Sequence, residues 1–263
     1  MNNAHRLLLT ALASAACVSA QSAVVLTGTI RDFCVPSVAG CTAQPGFEGG
    51  GGGLITGMVA PTLTGGLPTA GPSIVAGGTT AADFAEWYVD TPGVNLPIAT
   101  SLTLTEGPTG TFSYSNSSFF PIDGLGWGDQ GRSHNYHFTM HLEGLLAFSD
   151  PTAGADKTFS FTGDDDLWIF VGGKLALDLG GVHGATSGSF TEETLKALGL
   201  VAGTAYDLDI FFAERHTVAS SFAITTTLDI SAPSAVPEPA GVLLAGTALL
   251  GLAASRRRVA RKA

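Results

Sequence analysis

Short runs of alternating hydrophobic and polar residues recur along this chain, and they predict β-strands joined by turns. The clearest stretch is GDDDLWIFVGGKLALDLGG at residues 163–181. Two alternating runs flank Gly172 and Gly173, and glycine supplies the positive φ that a tight two-residue turn requires. The stretch therefore predicts a β-hairpin. At its open end, where the chain enters the first strand, lie three consecutive acids, Asp164, Asp165 and Asp166.

The same alternation predicts the other strands. They fall at residues 24–30, 102–104, 112–114, 136–140, 206–212 and 222–230. Short helices are expected at 81–88 and at 191–198, where Thr191 can cap the first turn. Residues 45–78 are rich in glycine and proline and show little periodicity, which predicts a long loop.

Composition favours one large β domain. The chain has 263 residues, 45% of them hydrophobic and only 13% charged, with 35 glycines and 13 prolines. This balance predicts an all-β fold, an antiparallel β-sandwich with short helices and long Gly/Pro-rich loops. Between Gln21 and Ala235, 6 Lys and Arg stand against 21 Asp and Glu, a net charge near −15. Such a domain repels nucleic acid and attracts cations.

The N-terminus has the pattern of a secretory signal peptide. A basic residue precedes the apolar run 7–16, and a Val-Ser-Ala tripeptide ends at Ala20. We therefore predict a signal peptide at 1–20, secretion, and a mature domain at 21–231. The alternatives are a buried N-terminal helix, for which the run is short, and a lipoprotein site at Cys17.

Cys34 and Cys41 are the cysteines that remain after removal of the signal peptide. In an oxidising compartment, an even pair at this spacing is most simply a local disulfide. A metal-binding pair would need two further soft ligands, which the sequence does not offer. We predict that Cys34 and Cys41 are bonded.

The C-terminus combines Pro237, Glu238 and Pro239 with an apolar segment at 240–255 and a basic tail at 256–263. This order resembles a PEP-CTERM sorting signal, in which residues 232–239 form a Pro-rich stalk. The resemblance implies recognition by an exosortase and delivery to the cell surface of a Gram-negative-type bacterium, often one that makes an exopolysaccharide matrix. The apolar segment is short for a stable crossing, so it implies a transient anchor in the inner membrane. A permanent single-pass anchor is the alternative.

The residues alone leave two interpretations of the acidic triplet open. Three adjacent acids repel one another unless solvent or a cation screens them. The triplet is therefore either a solvated turn or a site for a hard cation such as Ca²⁺, which takes six to eight oxygen ligands.

Histidines give a weaker signal. On the predicted strand, His137 and His141 lie four residues apart, which separates them by roughly 13 Å. One zinc ion cannot bridge that distance. Together with His134, they are expected to be exposed or to lie at a sheet edge.

No catalytic constellation is evident in the sequence. It has no Gly-x-Ser-x-Gly elbow and no His-Glu-x-x-His motif, and a disulfide would leave no thiol nucleophile. We therefore predict that the protein is not an enzyme. Asp164 with Glu214 as paired carboxylates leaves a glycoside hydrolase as a remote alternative.

Several separated segments resemble one family. GDDDLWIFVGGKLALDLGGVHG, followed by LGLVAGTAYDLDIFFAERH at 198–216, resembles the core of the fibro-slime domain, a relative of the protective-antigen lectin-like β-sandwich. The segments IRDF, FAEWYVD, FFPIDG and HNYHFTMH fit the same family in order. The resemblance covers residues 24–230 and implies a lectin-like sandwich.

The resemblance also implies a site. In lectin-like relatives, two adjacent aspartates in this loop hold Ca²⁺, and they align with Asp164 and Asp165. Asp166 stands where the relatives commonly have glycine, so its role as a third ligand is open. The resulting prediction is a Ca²⁺-dependent carbohydrate-binding or adhesion module of the extracellular matrix, with an extracellular polysaccharide or surface glycan as partner. The alternative is a structural matrix protein in which Ca²⁺ only stabilises the fold.

Three further residues are weaker candidates for ligand binding. Glu214 and His216 end a strand where the aspartates begin one, so the two loops could share one rim of the sandwich, and His183 could join them. The alternative is that Glu214 and Arg215 pair with neighbours on the surface, which would contribute less than about 1 kcal/mol.

Overall fold

A computed structural model describes residues 22–44, 46–48, 52–150 and 156–233. The predicted signal peptide, most of the stalk, the Pro-Glu-Pro box, the apolar segment and the basic tail lie outside these residues. Within the described ranges, no helix has the length and apolar character needed to cross a membrane.

The described residues form eleven strands and two short helices. In chain order they are β1 (Ala23–Phe33), α1 (Ala81–Phe84), β2 (Asn95–Glu106), β3 (Phe112–Asn116), β4 (Phe138–Ala147), β5 (Thr158–Gly163), β6 (Asp166–Val171), β7 (Lys174–Leu179), β8 (Thr186–Thr191), α2 (Glu192–Ala197), β9 (Ala205–Glu214), β10 (Phe222–Thr226) and β11 (Asp229–Ser231). Thr191 caps α2 as predicted, through a hydrogen bond from the Thr194 backbone N–H to its hydroxyl.

All strand pairs are antiparallel, in the order β7-β6-β9-β4-β1-β2-β3-β10-β5-β8, and β11 pairs with β4. The sheet curls so that its two ends meet. Gly188 of β8 lies against Leu177 and Leu179 of β7, where a Cβ on the glycine would be 2.8 Å from Leu177 Cδ1. The prediction of an all-β antiparallel fold of sandwich type is confirmed.

The main core fills the interior of this curled sheet. Alternate residues of the central strands point inward, and their side chains are almost fully buried. Among them are Leu26, Leu142, Ile210, Phe212 and Ile224. Each such side chain contributes about 1.5–3 kcal/mol by leaving water.

A second core covers the outer face of β6 and β9. Trp168, Phe170 and Phe211 on the strands pack with Phe47, Met58, Ile74, Phe84 and Trp87 from the segment that precedes β2. The prediction of a long loop at 45–78 is confirmed in that the described residues of this segment form no helix or strand, but the sequence did not predict that the segment packs as a layer. We call its described part, together with residues up to 94, the cover.

Some predicted elements differ in their limits, and two strands were missed. β4 begins at Phe138, because His137 has φ 59° and turns the chain before the strand. The alternation at 222–230 spans two strands, since the chain leaves β10 at Thr226 and pairs as β11 with β4. β5 and β8 were not predicted at all. The helix expected at 81–88 ends at Phe84.

Candidate functional site

Three loops meet at one rim of the sandwich and line a cleft of about 410 Å³. The turn before β6 supplies Asp164 and Asp165, the segment after β7 supplies His183, and the β9–β10 connection supplies His216 and Val218. We call this the acidic cleft. The structure thus brings together four of the six residues that the sequence singled out for metal or ligand binding.

Backbone and hydroxyl donors hold the two aspartates in place. The Ser221 hydroxyl donates to Asp164 Oδ1. Asp165 has φ 54°, and its Oδ2 accepts the backbone N–H groups of Arg215 and His216, both at 2.8 Å. These contacts tie the turn to the β9–β10 connection, so the carboxylates are oriented before any ligand arrives.

The interpretation of the acidic triplet as a solvated turn does not fit these surroundings. Asp164 is 7% exposed, Asp165 is 3% exposed and Asp166 is fully buried. Charged groups so far from water need partners, because the loss of hydration is costly.

Asp166 finds its partners behind the acidic cleft. Its Oδ2 lies 3.1 Å from Arg215 Nη1 in a fully buried ion pair, and its Oδ1 accepts the Gly181 N–H at 2.5 Å. Asp166 does not line the acidic cleft. The third acid therefore has a structural role in holding Arg215, which separates it from Asp164 and Asp165.

Arg215 connects β9 to the cover. Its guanidinium donates to the carbonyls of Phe47, Gly46 and Gly77 at 2.8, 2.9 and 2.8 Å, and it stacks 5.0 Å from the Trp87 ring centroid. The alternative that Glu214 and Arg215 form surface pairs is wrong, because both side chains are fully buried.

Among the acids of the site, Glu214 has the least favourable environment for a negative charge. Neither carboxylate oxygen makes a well-aligned hydrogen bond within the described residues. Burial raises its pKa well above the usual value, and the nearby charges of Asp165 and Asp164 raise it further, whereas Ser220 and the His216 N–H lower it. Glu214 does not line the acidic cleft. A glycosidase pair with Asp164 is therefore unsupported, since a substrate cannot reach Glu214.

The environment of Asp165 also disfavours a negative charge, but less strongly. Burial raises the pKa of Asp165 to about 6, although the backbone N–H groups of Arg215 and His216 oppose the shift. Three carboxylates thus share a region that disfavours their combined negative charge.

The two histidines flank the acidic cleft differently. His183 has its ring nitrogens near the carbonyls of Leu179 and Gly184, at 3.2 and 3.0 Å. His216 holds Asp165 through its backbone, while its side chain is 51% exposed at the mouth. Its Nδ1 lies 3.7 Å from Glu48 Oε1, and the residue lines the acidic cleft.

The expectation that the histidines are exposed or lie at a sheet edge is wrong for His141, which is on β4 between β9 and β1, and for His137. The His137 side chain is 6% exposed, and its Nε2 lies 2.5 Å from Glu48 Oε2. Glu48 also contacts Arg132 at 3.3 Å and accepts from the Thr217 hydroxyl at 3.0 Å. Burial and Arg132 lower the pKa of His137 to about 4, which Glu48 only partly opposes. Sequence reasoning missed Glu48, because it lies in a glycine-rich stretch without periodicity.

Cys34 and Cys41 are joined by a disulfide, with their Cα atoms 6.3 Å apart. They lie at the edge of a larger hollow of about 840 Å³ that Glu48, Arg132 and His137 also line. This is the pairing that the sequence favours.

The oxygen atoms of the acidic cleft fit a hard cation. Asp164 Oδ2 and Asp165 Oδ1 make no hydrogen bond within the described residues, so each aspartate keeps one oxygen for a ligand. The lining residues include no thiol. Oxygen donors of this kind suit Ca²⁺ rather than a soft metal.

Comparisons with known proteins show what this chain is similar to. Residues 127–239 match the profile of the PA14 domain, and that segment contains Asp164, Asp165, Asp166, His183, Glu214 and His216. Protein psiQ of Dictyostelium discoideum is 38% identical over 165 residues, which cover 57% of this chain and 16% of psiQ. Protein psiE of the same organism is 32% identical over 209 residues, covering 69% of this chain and 40% of psiE. This chain therefore spans well under half the length of these relatives.

Two solved structures are also similar. The PA14 domain of the MpAFP antifreeze protein is 11% identical, with a TM-score of 0.36, and the match covers 86% of this chain and all of that domain. A PA14 sugar-binding domain from an RTX adhesin is 19% identical, with a TM-score of 0.26, over 37% of this chain and 52% of the other. The profile match at residues 127–239 makes the part of the chain that carries the acidic cleft similar to the PA14 domain.

Proposed function

We propose that this protein is a carbohydrate-binding or adhesion module whose acidic cleft binds Ca²⁺ and, through the ion, a glycan. The observation that carries this proposal is the pair Asp164 and Asp165. Both are held by neighbouring donors, and each keeps one carboxylate oxygen without a hydrogen bond. The profile match to the PA14 domain over the same segment supports it.

Calcium coordination explains how such a cleft would recognise sugars. Ca²⁺ takes six to eight oxygen ligands, and two aspartates supply only part of that number. Sugar hydroxyl groups can fill the remaining positions. Val218, which is 72% exposed and lines the acidic cleft, offers an apolar contact to the C–H face of a sugar ring.

A second candidate function is structural, with Ca²⁺ stabilising a matrix component and no glycan bound. Glu214 favours it, because a cation near Asp164 and Asp165 would relieve the repulsion that raises the pKa of Glu214. The two functions differ in one measurable property. A lectin binds sugars saturably, and a purely structural domain shows only a chelator-sensitive melting temperature.

Glycan-array binding with and without a chelator separates these functions. We expect saturable binding that chelator abolishes and that Asp164→Asn/Asp165→Asn lacks. The matched control is Asp150→Asn/Asp229→Asn, which removes two charges at exposed ion pairs with Lys196 and Lys157. Asp229 lies near the start of β5, whereas the acidic cleft lies beyond its end. Chelator-resistant glycan binding would rule out recognition through Ca²⁺, and no glycan binding together with a calcium-dependent melting temperature would rule out the carbohydrate module.

The proposed setting is the bacterial cell surface. It rests on the sequence patterns at 1–20 and 237–239, which imply secretion, exosortase processing and transient anchoring in the inner membrane.

A further inference from the structure

A second group of metal-ligating side chains lies on β4 and β9, among residues that the acidic cleft does not use. In the register of this strand pair, Glu143 is opposite Asp209 and His141 is opposite Phe211. Residues two apart on a strand share a face, so His141, Glu143 and Asp209 project from the same side of the sheet.

Their ligand atoms converge. One atom from each of His141, Glu143 and Asp209 lies within 4.8 Å of the other two. His141 Nε2 is 2.9 Å from Asp209 Oδ1. This is a hydrogen-bond distance. Two ligands of one tetrahedral zinc ion, with bonds of about 2.1 Å, lie about 3.4 Å apart, so a shift of about 0.5 Å would let both atoms bind one ion.

The imidazole ring is already oriented. It stacks on Phe211 with ring centroids 4.1 Å apart and planes inclined by 16°. Its side chain is 15% exposed, and that of Asp209 is 13% exposed. A metal ion would therefore meet a fixed nitrogen donor, and little side-chain entropy would be lost on binding.

The negative charges around these three side chains also favour the binding of a cation. Glu143 and Asp209 face each other across the strands, and like charges in that position are destabilising. They line a hollow of about 280 Å³ together with Asp207, and its lining residues include no lysine or arginine. One histidine cannot balance three carboxylates.

We infer that His141, Glu143 and Asp209 form a second metal site, which takes a divalent transition ion such as Zn²⁺. One imidazole with two carboxylates suits that class of ion better than Ca²⁺, for which oxygen donors are preferred. The sequence argument excluded zinc between two histidines of one strand, and the site instead combines one histidine with carboxylates from its own strand and from the neighbouring one. This inference does not depend on the function proposed for the acidic cleft.

Calorimetric titration of Zn²⁺ into the metal-free secreted protein tests the site, with Ca²⁺ in excess so that oxygen-only sites are occupied. We expect one site in the wild type and at least a tenfold loss of affinity in His141→Ala. The matched control is His134→Ala, because His134 pairs with a single carboxylate, Asp123, at 2.7 Å. That control and Asp164→Asn/Asp165→Asn should bind Zn²⁺ like the wild type.

A second variant keeps the test informative if His141→Ala does not fold. Glu143 is exposed, so Glu143→Gln should keep the fold while it also weakens Zn²⁺ binding. Melting curves in chelator establish that each variant is folded. Wild-type affinity in both variants would place the ion elsewhere and overturn the inference, as would a wild type that shows no saturable Zn²⁺ binding.

Discussion

At the scale of single residues, three adjacent acids have different roles because the chain turns sharply where it enters β6. Asp165, at φ 54°, and Asp164 line the acidic cleft, while Asp166 points into the protein toward Arg215. The sequence identified the triplet but could not separate its members. Their separation depends on Arg215, whose burial results from a cover that has no periodic pattern.

Arg215→Met tests this buried ion pair. The substitution leaves Asp166 charged and unpaired and removes donors from three carbonyl groups. Removing one partner of a buried pair costs about 3–5 kcal/mol. We expect a loss of that size in the free energy of unfolding, measured in urea. In the double variant Arg215→Met/Asp166→Asn the loss should be smaller than the sum of the single losses, and strict additivity would contradict the account.

The buried carboxyl group of Asp32 should make the stability of the protein depend on pH. It is fully buried, and its Oδ2 accepts the Trp127 N–H at 2.5 Å. Burial raises its pKa from 3.8 to about 7, although Trp127 and Asn135 oppose the shift. The folded protein therefore holds this proton more tightly than the unfolded chain does. The stabilisation is complete below the unfolded pKa and is lost as pH rises through about 7.

Asp32→Asn should remove this contribution, since the amide oxygen can still accept the Trp127 N–H. The variant should gain stability relative to the wild type between pH 4 and pH 8, by roughly 4 kcal/mol at most. Melting temperatures across that pH range measure the effect. The pKa values of Asp165 and Glu214 are also raised. The loss of stability with rising pH should therefore be smaller in Asp32→Asn than in the wild type, but it should not vanish. Parallel curves for both proteins would contradict the assignment.

At the scale of elements, the β6–β7 hairpin follows directly from its sequence. Gly172 and Gly173 have φ values of 56° and 71°, the left-handed conformation of a tight two-residue turn. A Cβ on Gly173 would meet no atom within 4 Å, so a substitution there tests the backbone conformation alone.

Gly173→Ala should therefore cost about 1–2 kcal/mol in the free energy of unfolding. Gly173→Asn is the matched control, because asparagine adopts the left-handed conformation more readily, and it should cost clearly less. Urea denaturation of both variants gives the comparison. Equal losses would show that the turn does not impose a positive φ at this position.

Strand prediction missed β8, in which the contrast between a buried face and an exposed face is weak, but it found β6, which has no exposed face. β8, TSGSFT, is mostly partly exposed along both faces and buries only Phe190, so it shows little hydrophobic alternation. β6 shows the opposite case. All six of its residues are buried, which means that both of its faces are covered. The apolar residues on both faces of β6 indicate that a second layer packs on its outer face. The prediction of a loop at 45–78 did not use this information.

At the scale of the whole molecule, the acidic cleft exists because distant segments converge. Gly52 of the cover bridges to Val182, and the Gly53 N–H donates to the Val182 carbonyl at 2.7 Å. The turn before β6 and the β9–β10 connection complete it. Sequence reasoning placed the two strand-end loops at one rim from the direction of the strands. It could not include the cover, because nothing in a glycine-rich segment fixes its path.

The terminal patterns at 1–20 and 237–239 allow the proposed secretion and surface sorting to be tested. We expect the protein to begin near Gln21 and to lack the residues beyond the Pro-Glu-Pro box. Mass spectrometry of surface-released protein measures both ends. Recovery of the basic tail at 256–263 in that fraction would favour a permanent anchor over sorting.

Calcium binding by the acidic cleft is the central claim, and calorimetric titration of Ca²⁺ tests it most directly. The wild type and the control Asp150→Asn/Asp229→Asn should bind Ca²⁺ with a Kd of about 10⁻⁴–10⁻³ M, the range of extracellular calcium modules. Asp164→Asn/Asp165→Asn should show no binding there while it keeps the wild-type fold in chelator. Equal binding by all three proteins, or no binding by the wild type, would contradict the account.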